Sequence, residues 1–189
     1  VSFTTLTPCT SATATIPVTV SAPITATTVT PATRSVCLGG STTFSATVTG
    51  GTNTTYQWQR STDAGLTWSS ISGATGATLT VSNVTTGMTG YRYRVVATSG
   101  ACTSFTSTNF GTLTVNALPV VTIASPVVNI IPGVPTTVTG TSTPAAAATN
   151  SWSWTLNGTA LTGNTNTQGV TVDALGTYQA TVTDVNGCV

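Results

Sequence analysis

The 189-residue chain has four basic residues, three acidic residues and no His, which leaves a net charge of +1. Charged residues make up 4% of the sequence, whereas about 25% is usual in soluble domains. This composition excludes the clusters of Lys and Arg that bind nucleic acid or an anionic membrane surface, and no apolar run reaches the roughly 18 residues of a membrane-spanning helix.

Thr is the most frequent residue, with 49 copies, and its branched Cβ fits the pleated surface of a strand. No segment keeps a helical period, and alternating segments recur at the spacing of a sandwich. The sequence therefore predicts an all-β protein made of tandem immunoglobulin-like β-sandwich domains. Because so few charges keep copies apart, we expect the chain to associate with itself.

The first segment, residues 1–22, has the pattern of the last strand of a sandwich. It reads Cys-Thr-Ser, then an alternating stretch, then a proline, as residues 102–119 do. We therefore expect it to be a terminal strand that completes a neighbouring, preceding sandwich. The apolar residues that one face of this strand would present for strand complementation are Ala12, Ala14, Ile16, Val18 and Val20.

The middle segment, residues 23–118, holds seven or more predicted strands, which is the content of one complete immunoglobulin-like sandwich. Trp58 on the third strand and Tyr93 on the sixth are predicted core residues. A hairpin is predicted after the Trp58 strand, with its second strand over residues 66–71. Trp68 in this hairpin falls outside the predicted core.

The last segment, residues 119–189, repeats the pattern but is predicted to lack the seventh strand. An unpaired sheet edge is an aggregation liability, so we expect residues 1–22 of another copy to fill it. Two routes remain open: Val189 continues covalently into another copy, or separate subunits exchange strands. Folding back of the first strand within one chain is a third route, and the short linker disfavours it.

The four cysteines lack the short spacings of a metal site, which indicates disulfides and an oxidising, extracellular setting. Four buried free thiols are the alternative. One predicted pair joins Cys188 to Cys9 of the next copy. The remaining pair is Cys37 with Cys102, although a simple sandwich places these two residues at opposite poles.

The residue types exclude the usual catalytic constellations, because the chain has no His, Glu or Lys to act as a base. We expect no catalytic residues, no metal site, no cofactor and no enzymatic activity. Asp63 and Asp184 are interpreted as turn-forming residues.

Several segments resemble a known family. Residues 37–44 (CLGGSTTF), 56–68 (YQWQRSTDAGLTW) and 90–94 (GYRYR) resemble the Ig-like repeats of large secreted and surface adhesins of Bacteroidetes. Residues 176–188 resemble the repeats of gliding-motility adhesins and the PKD-like domains beside them. The resemblance implies export, for which the type IX system is one route, and a spacer or adhesive role. Val95 and Ala180 stand where such repeats often carry a Cys.

These observations favour a structural repeat module of an extracellular filament or giant cell-surface adhesin. Its expected partners are other copies of itself, assembled through end-to-end sandwiches and strand complementation. The alternative is a carbohydrate-binding accessory module of a secreted enzyme, in which Trp68 would contact a surface glycan.

Overall fold

The structure is a computed structural model that describes residues 20–123, 131, 134–143, 150–162 and 168–189. Within these ranges the chain is built from strands, with one three-residue 3-10 helix at Thr86–Met88. The predicted all-β class is confirmed. The strands fall into two sets with separate cores, which we call the first sandwich (residues 24–116) and the second sandwich (residues 120–189).

The described part of the first sandwich comprises β1 (Ile24–Thr30), β2 (Thr33–Cys37), β3 (Thr42–Gly50), β4 (Thr54–Ser61), β5 (Ser69–Ser70), β6 (Thr78–Val81), β7 (Arg92–Ser99), β8 (Phe105–Thr106) and β9 (Gly111–Asn116). One sheet has the order β1-β3-β6 and the other the order β2-β9-β7-β4-β5, with β8 paired to β7. The β2 strand runs parallel to β9, and the other pairs are antiparallel. This two-sheet arrangement is that of an immunoglobulin-like sandwich.

The first core forms around Trp58, which is fully buried, and its indole N–H donates to the carbonyl of Gly76 (2.9 Å). Tyr93 is buried as predicted and stacks on Phe44, with ring centroids 5.2 Å apart. Val95 lies opposite Trp58 on the neighbouring strand. Val95 is fully buried, so an apolar side chain fills this position of the core.

The hairpin after β4 differs from the prediction. A strand over residues 66–71 is wrong, because only Ser69–Ser70 pairs with β4. The Asp63 carboxylate accepts hydrogen bonds from the Thr67 N–H (2.9 Å) and the Ser61 hydroxyl (2.7 Å). These bonds hold a wide turn in which Leu66 is exposed. Antiparallel pairing with β4 therefore begins only after the turn, at Ser69.

The described strands of the second sandwich are β10 (Val120–Ile123), β11 (Thr136–Thr143), β12 (Ser151–Leu156), β13 (Thr159–Ala160), β14 (Gly169–Val172) and β15 (Tyr178–Thr183). They form two sheets, β10-β11-β14 and β13-β12-β15. Trp152 and Trp154 point into the core from β12, and their rings stack with centroids 6.3 Å apart.

Two strands of the second sandwich correspond in register to strands of the first. Trp58 pairs with Val95, two residues after Tyr93, and Trp154 pairs with Ala180, two residues after Tyr178. Therefore β12 corresponds to β4, and β15 corresponds to β7.

The β15 strand differs from β7 in its second edge. In the first sandwich, β9 and β8 pair with the edge of β7 that faces away from β4. Among the described residues, no strand pairs with the corresponding edge of β15. The strand that would fill it stays a prediction, as do the boundaries after residues 22 and 118. Ala12, Ala14, Ile16 and Val18 lie outside the described residues, and Val20 is exposed and outside any strand.

Candidate assembly sites

A disulfide joins the two sandwiches. It links Cys37 to Cys188 with a Cα–Cα distance of 5.6 Å, across 151 residues of sequence. Both predicted pairings are therefore wrong. Cys102 is free, and Cys9 lies outside the described residues. Cys37 and Cys102 lie at opposite poles of the first sandwich, as a simple sandwich topology predicts.

Cys37 lies at the pole where the chain leaves the first sandwich. It ends β2 and pairs in register with Asn116, the last residue of β9. The Leu38 N–H also donates to the Asn116 carbonyl (2.8 Å). Only residues 117–119 then separate β9 from β10. The disulfide consequently forms a second covalent link across the junction, beside the peptide connection.

Cys188 is presented by a turn that Asp184 organises. One carboxylate oxygen of Asp184 accepts from the N–H groups of Asn186 and Cys188, both at 2.8 Å. The Asp184 N–H donates to the Cys188 carbonyl (2.9 Å). The hydrogen bond from the Cys188 N–H, followed by those from Asn186, lowers the pKa of Asp184. The turn thus positions a buried Cys188 against the first sandwich.

Cys102 lies at the opposite pole of the first sandwich, where the chain enters. Its thiol donates to the carbonyl of Ser21 (3.6 Å). Buried Ser99 holds the entering chain beside it, because its hydroxyl donates to the Ala22 carbonyl (2.7 Å) and accepts from the Thr52 N–H (2.7 Å). A Cβ on Gly100 would overlap the Ser21 side chain, so the packing at this entrance is close.

An aromatic and arginine cluster covers part of the outer face of the sheet that contains β7. Arg94 stacks on the Trp68 ring at 4.3 Å, and Arg92 stacks on the Phe110 ring at 4.4 Å. The Trp68 indole N–H donates to the Gly65 carbonyl (3.0 Å). Trp68 therefore ties the wide turn after β4 to the sheet, and Arg94 already occupies one face of its ring.

The described part of the chain has few side chains that could bind a metal ion or act as an acid or base. No three His, Cys, Asp or Glu side chains there come together in a way that could hold a metal ion. The described residues contain no helix long and apolar enough to cross a membrane. Asp63, Asp173 and Asp184, the three acidic residues, lie in separate turns or loops.

Comparison with known proteins adds a family match to this geometry. Residues 25–117 match a family described as a domain of unknown function (DUF8696). No curated protein matches the chain. Among solved structures, the chain is similar to the N-terminal four Ig domains of Dscam1 isoform 6.9, with 17% identity, a TM-score of 0.44, and coverage of 87% of this chain and 44% of that one. It is also similar to the N-terminal eight Ig domains of Down Syndrome Cell Adhesion Molecule isoform 1.30.30, with 20% identity, a TM-score of 0.42, and coverage of 77% and 20%.

The chain spans less than half the length of these solved chains. These TM-scores are too low for the likeness to support an inference about partners or activity. The immunoglobulin-like assignment rests on the strand order and register of this chain.

Proposed function

We propose that the chain is a structural repeat module of an extracellular filament or giant cell-surface adhesin, with sandwiches joined end to end. The observation that carries the proposal is the disulfide between Cys37 and Cys188. Both cysteines of this bond lie at the junction between the two sandwiches, and neither belongs to a core cluster. A bond placed there restricts how the sandwiches can move relative to each other, which is useful in a module that must stay extended.

The disulfide also supports an extracellular location, because disulfides persist in oxidising compartments. Export and attachment of the Bacteroidetes adhesin type follow from the resemblance of residues 37–44, 56–68 and 176–188. We assign the chain no catalytic activity, since it has no His, Glu or Lys to serve as a base.

Strand complementation is the proposed mode of assembly. The edge of β15 with which no described strand pairs offers backbone hydrogen-bonding groups beside the apolar core of the second sandwich. An added strand would pair with these groups and close the core, as β9 does in the first sandwich. Residues 12–20 of a neighbouring copy have the required alternation, with Ile16 and Val18 on the apolar face.

The test is the oligomeric state of the 189-residue chain, measured by light scattering after size-exclusion chromatography and by electron microscopy. We expect concentration-dependent linear oligomers. The double variant Ile16→Asp/Val18→Asp should be monomeric, because it would place two charges against the second core. An excess of a synthetic peptide of residues 8–22 should also dissociate the oligomers by capping β15.

The matched control is Thr15→Asp/Thr19→Asp, which adds the same charges on the opposite face of the strand and should keep the oligomers. Subunit exchange through this strand is contradicted if the wild-type chain is monomeric at all concentrations. Equal assembly of both double variants would contradict it as well.

The second candidate function is binding of an anionic polysaccharide by an accessory module of a secreted enzyme. The cluster of Trp68, Phe110, Arg92 and Arg94 favours it, because aromatic and guanidinium groups together suit acidic sugars. Retention of wild type and Trp68→Ala on immobilised acidic polysaccharides tests it. A clear loss of retention in Trp68→Ala supports polysaccharide binding. Elution of both wild type and Trp68→Ala in the void volume of the column supports the filament module.

A further inference from the structure

We propose that the chain has a second, mechanical function: it transmits tension along a covalent path that bypasses residues 38–187. The path consists of residues 24–37, the Cys37–Cys188 disulfide and Val189, and we call it the load path. This inference rests on the proposed end-to-end array, because a module within an extended surface structure is pulled from both sides.

The first support is the course of residues 24–37 through the first sandwich. Ile24 pairs with Gly50, the last residue of β3, at the pole where the chain enters. Cys37 pairs with Asn116, the last residue of β9, at the opposite pole. One segment, made of β1 and β2, therefore crosses the sandwich from pole to pole.

This segment is already close to its greatest length. Its two strands lie in different sheets, and the chain crosses between them at residues 31–32. At the rise of a strand, residues 24–37 cover about 40–45 Å, whereas the same residues fully extended would reach about 50 Å. Tension can therefore lengthen the segment by only about 10 Å.

The second support is the position of the disulfide at the end of this segment. Cys37 is the last residue of β2, and Cys188 directly precedes Val189, which is exposed. A force on Val189 acts on Cys188 and, through the bond, on Cys37. Because the bond holds the Cα atoms of the two cysteines 5.6 Å apart, tension cannot stretch the loop of residues 38–187 between them.

The loop contains the parts of the chain that tension would otherwise unfold. All of the second core cluster and most of the first lie within it, including Trp58, Tyr93 and Trp154. The pairings of β1 with β3 and of β2 with β9 are not loaded either, because the segment is held in tension at both of its ends. The module can thus carry a pulling force while its cores stay folded.

Single-molecule force-extension measurements on the 189-residue chain test the proposal. One handle is attached through a peptide tag inserted at Val20, which is 88% exposed, and the other follows Val189. Without reductant, we expect wild type to lengthen by less than about 40 Å before the tether breaks. In Cys188→Ser, unfolding of both sandwiches should release roughly 500 Å, about tenfold more.

A second attachment site shows whether the applied force is sufficient to unfold the first sandwich. Gly73 is exposed, lies outside any strand, and would meet nothing within 4 Å if it carried a Cβ. With handles at Gly73 and after Val189, the force passes through the strands between Gly73 and Cys37. Unreduced wild type should then lengthen by about 100 Å.

Cys102→Ser is the matched control for the loss of a cysteine, and with handles at Val20 and Val189 it should keep the short extension of wild type. The proposal is overturned if unreduced wild type, held at these two points, releases clearly more than about 40 Å. A short extension of Cys188→Ser would overturn it as well, because the resistance would then not come from the disulfide.

The outcome is separable from failure of the proposed assembly. Single tethered chains are pulled, so the load path can be present in a chain that forms no oligomers. Conversely, chains that assemble normally in the light-scattering test but extend like Cys188→Ser would contradict the load path alone.

Discussion

Gly111 shows at the scale of one residue how closely the first core is packed. It begins β9, and a Cβ at this position would overlap the ring of Phe44. Phe44 cannot retreat, because it is fully buried and stacked on Tyr93. The absence of a side chain at residue 111 is therefore part of the fit between the two sheets.

We expect Gly111→Ala to lower the free energy of unfolding by about 1–3 kcal/mol, the usual cost of overpacking a core. Urea denaturation followed by tryptophan fluorescence measures it. Gly87→Ala is the matched control, because a Cβ there meets nothing within 4 Å, and it should change stability by less than about 1 kcal/mol. Equal effects of the two substitutions would contradict the packing argument.

At the scale of the element, turns were harder to predict than strands. Alternation of apolar and polar residues indicated β3, β4 and β7, because each strand has one face on a core. The segment after the Asp63 turn was interpreted as a strand over residues 66–71, but the turn is wider than predicted and only Ser69–Ser70 pairs with β4. The bonds of Asp63 to Ser61 and Thr67 override local strand propensity there, and nothing in a periodicity of two reports such bonds.

The turn after β15 gives a pH-dependent prediction. Because hydrogen bonds lower the pKa of Asp184 in the folded chain, its ionised form contributes stability above the ordinary value of 3.8. That contribution is lost as pH falls below this value and through the lower folded pKa. We expect the melting temperature of wild type to drop below about pH 4, and the drop to be smaller in Asp184→Asn.

Thermal unfolding between pH 7 and pH 2 measures this difference. Asp173→Asn, which removes an acidic residue from another loop of the second sandwich, is the charge-matched control. If Asp184→Asn and wild type lose stability in parallel on acidification, the carboxylate of Asp184 does not hold the turn in the way proposed.

At the scale of the whole molecule, two covalent links cross the junction: residues 117–119 and the Cys37–Cys188 disulfide. Without the disulfide, residues 117–119 would be the one remaining covalent link between the sandwiches. We expect Cys188→Ser to lower the free energy of unfolding by about 2–5 kcal/mol. We also expect a larger radius of gyration, measured by small-angle X-ray scattering.

Cys102→Ser is the matched control, because it removes a cysteine that is free in this chain. Its stability and radius of gyration should equal those of wild type. A junction equally compact in Cys188→Ser and wild type would show that the disulfide does not restrict the two sandwiches.

The sequence alone determined the all-β class and the core positions of Trp58 and Tyr93, because alternation and aromatic placement are local properties of a strand. That the second sandwich lacks its own seventh strand stays a prediction. The sequence could not determine the partners of the cysteines. A disulfide requires two Cα atoms within about 6 Å, and Cys37 and Cys188 are 151 residues apart. Only the tertiary arrangement, in which β2 ends beside β9 and the turn after β15 meets the same junction, decided that pair.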